Sequence, residues 1–559
     1  MIRNRWVSEK GKEDIIKKLC ETTNKDENTI RILVNRNLET KEDIEKFLNP
    51  SLFDMYDPYL FSDMDIAIKR IRKAVNNNEI IFIYGDYDVD GVTASSLLYK
   101  GLKTLTDNVF IYIPGRESEG YGLNKEAIKK IKNKGCSLII TVDCGITSVV
   151  EAEYAKELGV DMIVTDHHTC PEILPDCIAV INPKRVDSGY PFSELCGAGV
   201  ALKLCQALEV ATKELFAIAA IGTVADIVPL VSENRIIAYF GIEYLKEGLL
   251  KNINILCDVS GVSFKDINSR TLGFTIAPRI NASGRMASAG SAVEFFITHD
   301  EEKMREIALY LDNLNHERQE CEKNILNEVK EKIKTGNEDK NNLIIVWGEN
   351  WQEGVIGIVA SRITEEYHKP CILISLKDGI GKGSSRSIKG FNIYDALTGV
   401  KDYLLKYGGH ALAAGITVNE ENLSDFKENI LKNSEEFFKN GRIYPEIMID
   451  CELKEEYISE EYAEFIKTFE PFGMGNPEPV FLLKSGTVKS SYAFSNDAHM
   501  RLLLKKGKVV LENVGFGLGG YAESLREGEH IHMVLTIGIN EYRGVRKLQG
   551  KIKDIKLEK

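Results

Sequence analysis

The stretch YGDYDVDG (84–91) sets three aspartates, Asp86, Asp88 and Asp90, at alternate positions between two glycines. Carboxylate at that density suits a hard divalent cation. An EF-hand calcium loop starting at Asp86 would find its glycine at Gly91, but its twelfth position requires a bidentate Glu and is Leu97. The residues just before the acids, IIFIY (80–84), are β-branched or aromatic and predict a buried strand. The acids therefore follow a strand. Alternation along an extended 86–90 segment would turn all three carboxylates to one side.

Other acids also stand where strand-like runs stop. Asp143 follows LIITV, the tripeptide Asp166-His167-His168 follows MIVT, and Asp226 interrupts the apolar run GTVADIVPL (222–230). Ligands of open α/β sheets bind beyond the carboxyl ends of the strands, so these segments could meet in one crevice. Each has an ordinary reading by itself: Asp143 as a helix N-cap, Asp226 in a structural ion pair. Together they offer enough carboxylate and imidazole for two divalent cations sharing a bridging acid, and imidazole tilts the choice from Mg²⁺ toward Mn²⁺ or another transition metal. Two such ions would clamp the attacking and leaving oxygens of a phosphoryl transfer and provide hydroxide near neutral pH.

The elements that must position these groups are readable as an alternation. IIFIYG (80–85), VFIYIPG (109–115), SLIITVD (137–143), DMIVTD (161–166) and CIAVINP (177–183) predict strands, and 92–105 and 147–159 predict helices between them. This pattern gives a mainly parallel, doubly wound sheet. Residues 301–336 carry Ile307, Leu311 and Leu314 at helical spacing and predict a long connecting helix. NLIIVWG (342–348), CILISL (371–376) and the glycine-rich GIGKGSSRS (379–387) suggest a smaller α/β domain. From about residue 445 short strands and turns, as in 479–494 and 530–552, suggest a small β-barrel.

Length and composition fit that division. The 559 residues suffice for three or four domains, and 43% hydrophobic with 28% charged residues is ordinary for a globular protein. MIRNRWVSEK has no signal-peptide core, the longest apolar run (215–225) is too short to span a bilayer, and eleven cysteines without a CxxC pair read as reduced thiols. The expected compartment is the cytoplasm, with no membrane partner. A net charge of −13 argues against a general nucleic-acid coat but not against a nuclease, whose bound cations restore charge locally.

GDYDVDG (85–91), VDCG (142–145), DHH (166–168) and GTVADIVPL (222–230) resemble the successive motifs of the DHH phosphoesterase superfamily. PGRESEGYGLN (114–124), APRINASGRM (277–286), GSSRSIKGFN (383–392), GGHALAAG (408–415) and FEPFGMGNPEPVF (469–481) extend the likeness to the RecJ family of single-strand-specific 5′→3′ DNA exonucleases. The resemblance covers nearly all of the chain from about residue 50. It implies an N-terminal segment (1–50), a DHH domain (51–300), a connecting helix (301–341), a DHH-associated domain (342–440) and an OB-fold (441–559). It further implies Asp88, Asp90, Asp143, His167 and Asp226 as ligands of two Mn²⁺ or Mg²⁺ ions, with Asp143 bridging. Asp86 and His168, in the same motifs, fall to the reaction itself.

Arg116, Arg279, Arg285, Ser384, Arg386 and His410 are basic or polar groups beside glycine-rich turns, and Arg forks suit phosphate oxygens. A surface ion pair is the ordinary reading of any one arginine. By the resemblance, Arg116, Arg279, Ser384 and Arg386 hold the phosphate of the 5′-terminal nucleotide and His410 faces the strand. Tyr492, Phe494, Tyr542, Arg543 and Arg546 are stacking and charge candidates on the barrel. There is no Walker A spacing, which argues against an ATP-driven motor. The expected activity is two-metal hydrolysis of single-stranded DNA to 5′-mononucleotides in recombination and repair, with a single-strand-binding protein and a helicase as partners. The alternatives are a small-nucleotide phosphodiesterase of the same superfamily, disfavoured by residues 445–559, and an inactive scaffold, disfavoured by the full set of acids.

Overall fold

The computed structural model describes residues 4–558, apart from 9, 10, 117, 118, 121, 440, 442, 543 and the side chain of 542. These residues form two compact units, one made of 6–284, 288–309 and 448–559, the other chiefly of 310–447 with 285–287. The first unit opens with three short helices, α1 (Glu13–Thr23), α2 (Glu27–Val34) and α3 (Lys41–Leu48). Asp26 and Thr40 side chains cap the last two by accepting first-turn amides.

Next in the same unit is a five-stranded sheet of β1 (Ile80–Gly85), β2 (Val109–Tyr112), β3 (Cys136–Val142), β4 (Asp161–Thr165) and β5 (Ala179–Ile181). The order is β2-β1-β3-β4-β5 and every pairing is parallel. Ile81, Ile83, Leu138, Ile139 and Ile140 are wholly buried, so consecutive residues of β3 are covered on both faces, as a doubly wound sheet requires. The strand order reverses between β1 and β3, because β2 lies on one side of β1 and β3 on the other. In this strand order the crevice beyond their carboxyl ends is where ligands bind. The helices that matter there are α4 (Val89–Lys103), α5 (Gly197–Ala207), α6 (Lys213–Ala225) and α7 (Ala277–Met286).

The expected connecting helix is α8 (Glu301–Gly336), 36 residues long, with Ile307, Leu311 and Leu314 buried. In the second unit β6 (Ile344–Glu349), β7 (Cys371–Lys377), β8 (Ile380–Arg386), β9 (Lys406–His410) and β10 (Ala413–Asn419) form a sheet in the order β9-β10-β8-β7-β6, with α9 (Glu353–Tyr367) packed on it. Here the sequence reading needs correction: GIGKGSSRS is a turn only at Gly379 and otherwise contains the whole of β8. Its glycines serve close packing, since a Cβ on Gly383 would lie 2.5 Å from Ile416 Cγ1.

The first unit is completed by β11 (Cys451–Glu452), paired to β12 outside the ring, and a closed five-stranded barrel of β12 (Phe481–Phe494), β13 (His499–Lys506), β14 (Val509–Gly515), β15 (His530–Tyr542) and β16 (Val545–Leu557). Strand β12 pairs with both β13 and β15 and so closes the ring. The segment 479–494, expected as short strands joined by a turn, is one 14-residue strand, because KSG forms a register shift between Leu483 and Gly486 that bends it. Ile30, Leu33 and Phe47 of α2 and α3 share one apolar core with Leu453, Phe469, Phe481 and Met533. Asn28 Nδ2 donates to Glu452 O at 2.9 Å and Arg36 Nη2 to Pro477 O at 2.6 Å, tying the same helices to the barrel. Among the described residues no helix is long and apolar enough to cross a membrane.

Candidate metal centre

Asp88 caps α4, its Oδ1 accepting the Gly91 amide at 3.0 Å. The helix therefore starts at Val89, and the expected extended run 86–90 with three carboxylates on one side does not form. Helix geometry instead divides the acids. Asp86 and Asp88 gather with Asp143, while Asp90 gathers with His167 and Asp226. A third grouping joins Asp143, His167 and His168, and within each grouping the candidate ligand atoms lie within 4.8 Å of one another. Asp143 and His167 each belong to two groupings.

Local structure explains the placement. Asp143 leaves β3 with φ of 58°, a left-handed conformation that aspartate tolerates better than most residues. Only glycine fits opposite it at the start of α5, where a Cβ on Gly197 would lie 2.5 Å from Asp143 Cβ. The first amides of α5 then point at Asp90: Gly197 N–H donates to Oδ2 at 2.6 Å and Ala198 N–H to Oδ1 at 2.9 Å. A helix N-terminus thus fixes this carboxylate. Asp226 is the residue after α6, at the end where the helix dipole disfavours an anion.

Electrostatics leave this cluster incomplete as it stands. Burial and then the Asp88 charge push Asp86 up to about 8 and Asp90 up to about 6. Burial and then Asp90 push Asp226 up to about 8, and burial with four neighbouring carboxylates drives Asp143 well above the usual range. Burial and the neighbouring His168 lower His167 to about 3, so its ring is neutral. His167 Nε2 lies 3.0 Å from Asp143 Oδ1, 3.7 Å from Asp226 Oδ2 and 3.8 Å from Asp90 Oδ2. Yet Asp86 Oδ1 and Asp143 Oδ1, both buried, make no hydrogen bond. Buried acids that resist ionisation, with unsatisfied oxygens around a neutral imidazole, fit divalent cations with mixed oxygen and nitrogen donors, Mn²⁺ or Mg²⁺.

One residue of the site was visible in the sequence but had no role assigned there. Asp166 is almost fully buried, and its Oδ1 accepts the amides of His167 at 2.7 Å and His168 at 3.0 Å. The same oxygen meets His168 Nδ1 at 2.7 Å, and Oδ2 accepts the Ile146 amide at 2.9 Å. Burial alone would lower the pKa of His168, but the hydrogen bond and charge of Asp166 outweigh it and raise it. Asp166 thereby orients the His168 ring and fixes the backbone of both histidines. Asp166→Asn should keep the fold and cost about 10- to 100-fold in hydrolysis, as losses of such supporting groups do. Single-turnover rates at saturating metal check this, and an unchanged rate would remove the orienting role.

The remaining candidates fall in both units. Arg116 lies over the Tyr87 ring at 5.2 Å, beside the acidic loop. Arg279, on α7, donates from Nη1 to Thr275 O at 2.7 Å. In the second unit, Arg285 Nη1 donates to Gly354 O at 2.8 Å. Ser384 and Arg386 are joined by a 3.2 Å Oγ–Nη1 contact, and both sit on strand β8 rather than on a turn. His410 ends β9, also a strand, in the sheet row of Ala413 and Arg386. On the barrel Tyr492 is exposed and Phe494 packs edge-on to His499, which in turn meets Phe516. Arg546 is engaged by Glu464, and Arg543 and the Tyr542 side chain lie outside the described residues.

Fold and site together define a phosphoesterase built around divalent cations, carrying a second α/β unit and a nucleic-acid-type barrel. Residues 80–223 match the DHH family N-terminal domain, 340–440 the DHHA1 domain and 449–554 the RecJ OB domain. The single-stranded-DNA-specific exonuclease RecJ of Bacillus subtilis is 38% identical over 554 residues, 98% of this chain and 70% of that protein. Its Escherichia coli counterpart is 31% identical, covering 93% of this chain and 94% of that one. The crystal structure of Thermus thermophilus RecJ in complex with Mn²⁺ superposes with a TM-score of 0.86 at 27% identity, over 100% of this chain and 80% of that one. The chain belongs to the RecJ family of single-stranded-DNA-specific exonucleases.

Proposed function

We propose that this protein is a metal-dependent exonuclease that hydrolyses single-stranded DNA from its 5′ end to 5′-mononucleotides, in DNA recombination and repair. The observation that carries this is the sharing of Asp143 and His167 between acidic groupings at the switch point of the sheet. In this reading Asp88, Asp90, Asp143, His167 and Asp226 would hold two Mn²⁺ or Mg²⁺ ions, Asp143 being the acid common to two groupings. When bound, such ions neutralise phosphate charge and lower the pKa of water for in-line attack. His168, held through Nδ1 by Asp166, presents Nε2 to the phosphate or the departing 3′ oxygen. Asp86, whose buried Oδ1 has no hydrogen-bond partner, completes the acidic wall.

Arg116 and Arg279 of the first unit and Arg285, Ser384, Arg386 and His410 of the second are assigned to the strand's phosphates. Support for Arg386 is that burial lowers its pKa and, among the described residues, its guanidinium donates to Ser384 Oγ and Ser385 O with no carboxylate partner, so a terminal phosphate would restore its balance. Tyr492, Phe494, His499 and Phe516, with Arg501 5.6 Å over Phe494, suit stacking of further bases. The division assigned is 51–300 for catalysis, 301–341 for the connecting helix, 342–440 for the DHH-associated domain and 441–559 for the OB-fold, with 1–50 as the N-terminal segment. Since only single strands are taken, a helicase and a single-strand-binding protein in the cytoplasm would supply them.

The test is single-stranded DNA labelled at one end or the other, with Mn²⁺, Mg²⁺ or chelator. The expected result is immediate, chelator-sensitive release of the 5′-terminal mononucleotide, absent on blunt duplex. Consumption of dinucleotides or cyclic dinucleotides while long DNA survives would overturn the substrate, and no hydrolysis of any of them would leave a scaffold.

A further inference from the structure

Three separate segments of the first unit meet around the residue that follows α6. Ile227, next to Asp226, has φ of 60° and is 66% exposed, a strained and solvent-facing setting for a β-branched side chain. The chain then turns so that the Leu230 amide donates to Met474 O at 2.7 Å, which brings the loop 472–476 alongside. From the third side, Leu272–Ile276 forms one π-helical turn leading into α7, and π turns occur often at functional sites. A Cβ on Gly273 would lie 3.7 Å from Val224 Cγ1, and Ser269 Oγ donates to Phe472 O at 2.6 Å, so this turn is held against both other segments.

What the three segments present to solvent is apolar. Phe274 at the middle of the π turn is 80% exposed and Met474 is 56% exposed, alongside Ile227. One exposed apolar side chain is unremarkable, but three on mutually bonded segments beside a candidate metal ligand form a built surface. The same π turn anchors Arg279, through the 2.7 Å bond to Thr275 O, so a cationic group stands next to the apolar one. A partner with a flat apolar face linked to an anion matches that pairing. A nucleotide is such a partner, and Ile227 directly follows Asp226 in the chain.

We infer that Phe274, flanked by Ile227 and Met474, is a stacking platform for a nucleobase of the strand being cut, and that it sets base-dependent positioning at the metal centre. This rests on the nuclease reading above. The surface takes the base, while Arg279 takes the adjoining phosphate. The exposed setting of Phe274 means that its replacement should leave folding intact.

The experiment compares 5′-labelled single strands whose first two nucleotides are normal or abasic, cut by the full chain with saturating Mn²⁺. The wild type should prefer the normal strand by about tenfold in kcat/KM, the scale of base–aromatic stacking. Phe274→Ala should lose about that factor on the normal strand, mostly through KM, and little on the abasic one, so the preference collapses. Phe274→Tyr should restore it, and thermal melting of all three proteins should coincide. If Phe274→Ala keeps the wild-type preference, or falls equally on both strands, the platform is wrong while the nuclease assignment stands. If the wild type shows no chelator-sensitive hydrolysis of either strand, the nuclease reading falls and takes the platform with it.

Discussion

Alanine at Asp143 is expected to lower single-strand hydrolysis by a factor on the order of 10³ or more, with DNA binding nearly unchanged. Asp143 is shared by two groupings of candidate ligands, and no other acid is. Its loss would therefore unsettle both cation positions at once. In the proposed reading arginines and aromatic rings elsewhere hold the strand, so affinity should persist. The backbone should tolerate the change, because alanine keeps the Cβ that packs on Gly197, although φ of 58° suits it less well. Single-turnover cleavage and fluorescence anisotropy with the same oligonucleotide separate the two effects. Turnover within tenfold of wild type would remove Asp143 from the centre of the reaction.

The second large effect is on stability and its dependence on pH. Asp86 and Asp226 titrate at about 8 and Asp90 at about 6 in the folded, metal-free protein, against 3.8 for an ordinary aspartate. A folded-state pKa raised above the unfolded one means that the folded protein binds more protons between those values. Its stability is then fully present below about pH 4 as far as these groups are concerned, and falls as pH rises toward 8. Melting of the metal-free protein should therefore drop between pH 5 and 8.5. Mn²⁺ should reverse the drop, because the metal-bound carboxylates are ionised, and its stabilising shift should grow with pH. At about a thousandfold excess over Kd the gain is roughly 4 kcal/mol. Calorimetry in two buffers of different ionisation enthalpy should also detect proton release on binding. A metal shift equal at pH 6 and pH 8 would contradict this account.

Most of the centre could be read from the sequence because its acids follow strands, where a doubly wound sheet opens its ligand crevice. Asp143 and His167 needed no coordinates for that reason. The separation of Asp90 from Asp86 and Asp88 was not readable, since it depends on Asp88 capping α4 two residues earlier than an extended reading allows. The role of Asp166 lies in four hydrogen bonds to neighbours that only the fold assembles. Ser384 and Arg386 looked like loop residues because glycine signals turns more often than tight strand packing, and β8 uses it for the latter. The first fifty residues carried no readable motif for a different reason. Their apolar residues answer to partners in the barrel, far away in sequence.

That distant pairing has a consequence for how the protein is made. Asn28 bonds Glu452, 424 positions further along the chain. At about 5–20 residues per second, a ribosome needs roughly 20–85 s to travel that distance. For that interval Ile30, Leu33 and Phe47 have emerged, but the strands that cover them have not been synthesised. The parallel sheet can form meanwhile, as its own strands are complete by Ile181. Assembly of the molecule is thus not vectorial: α2 and α3 stay uncovered until the barrel strands have been made, and nascent-chain binding factors would find them exposed until then.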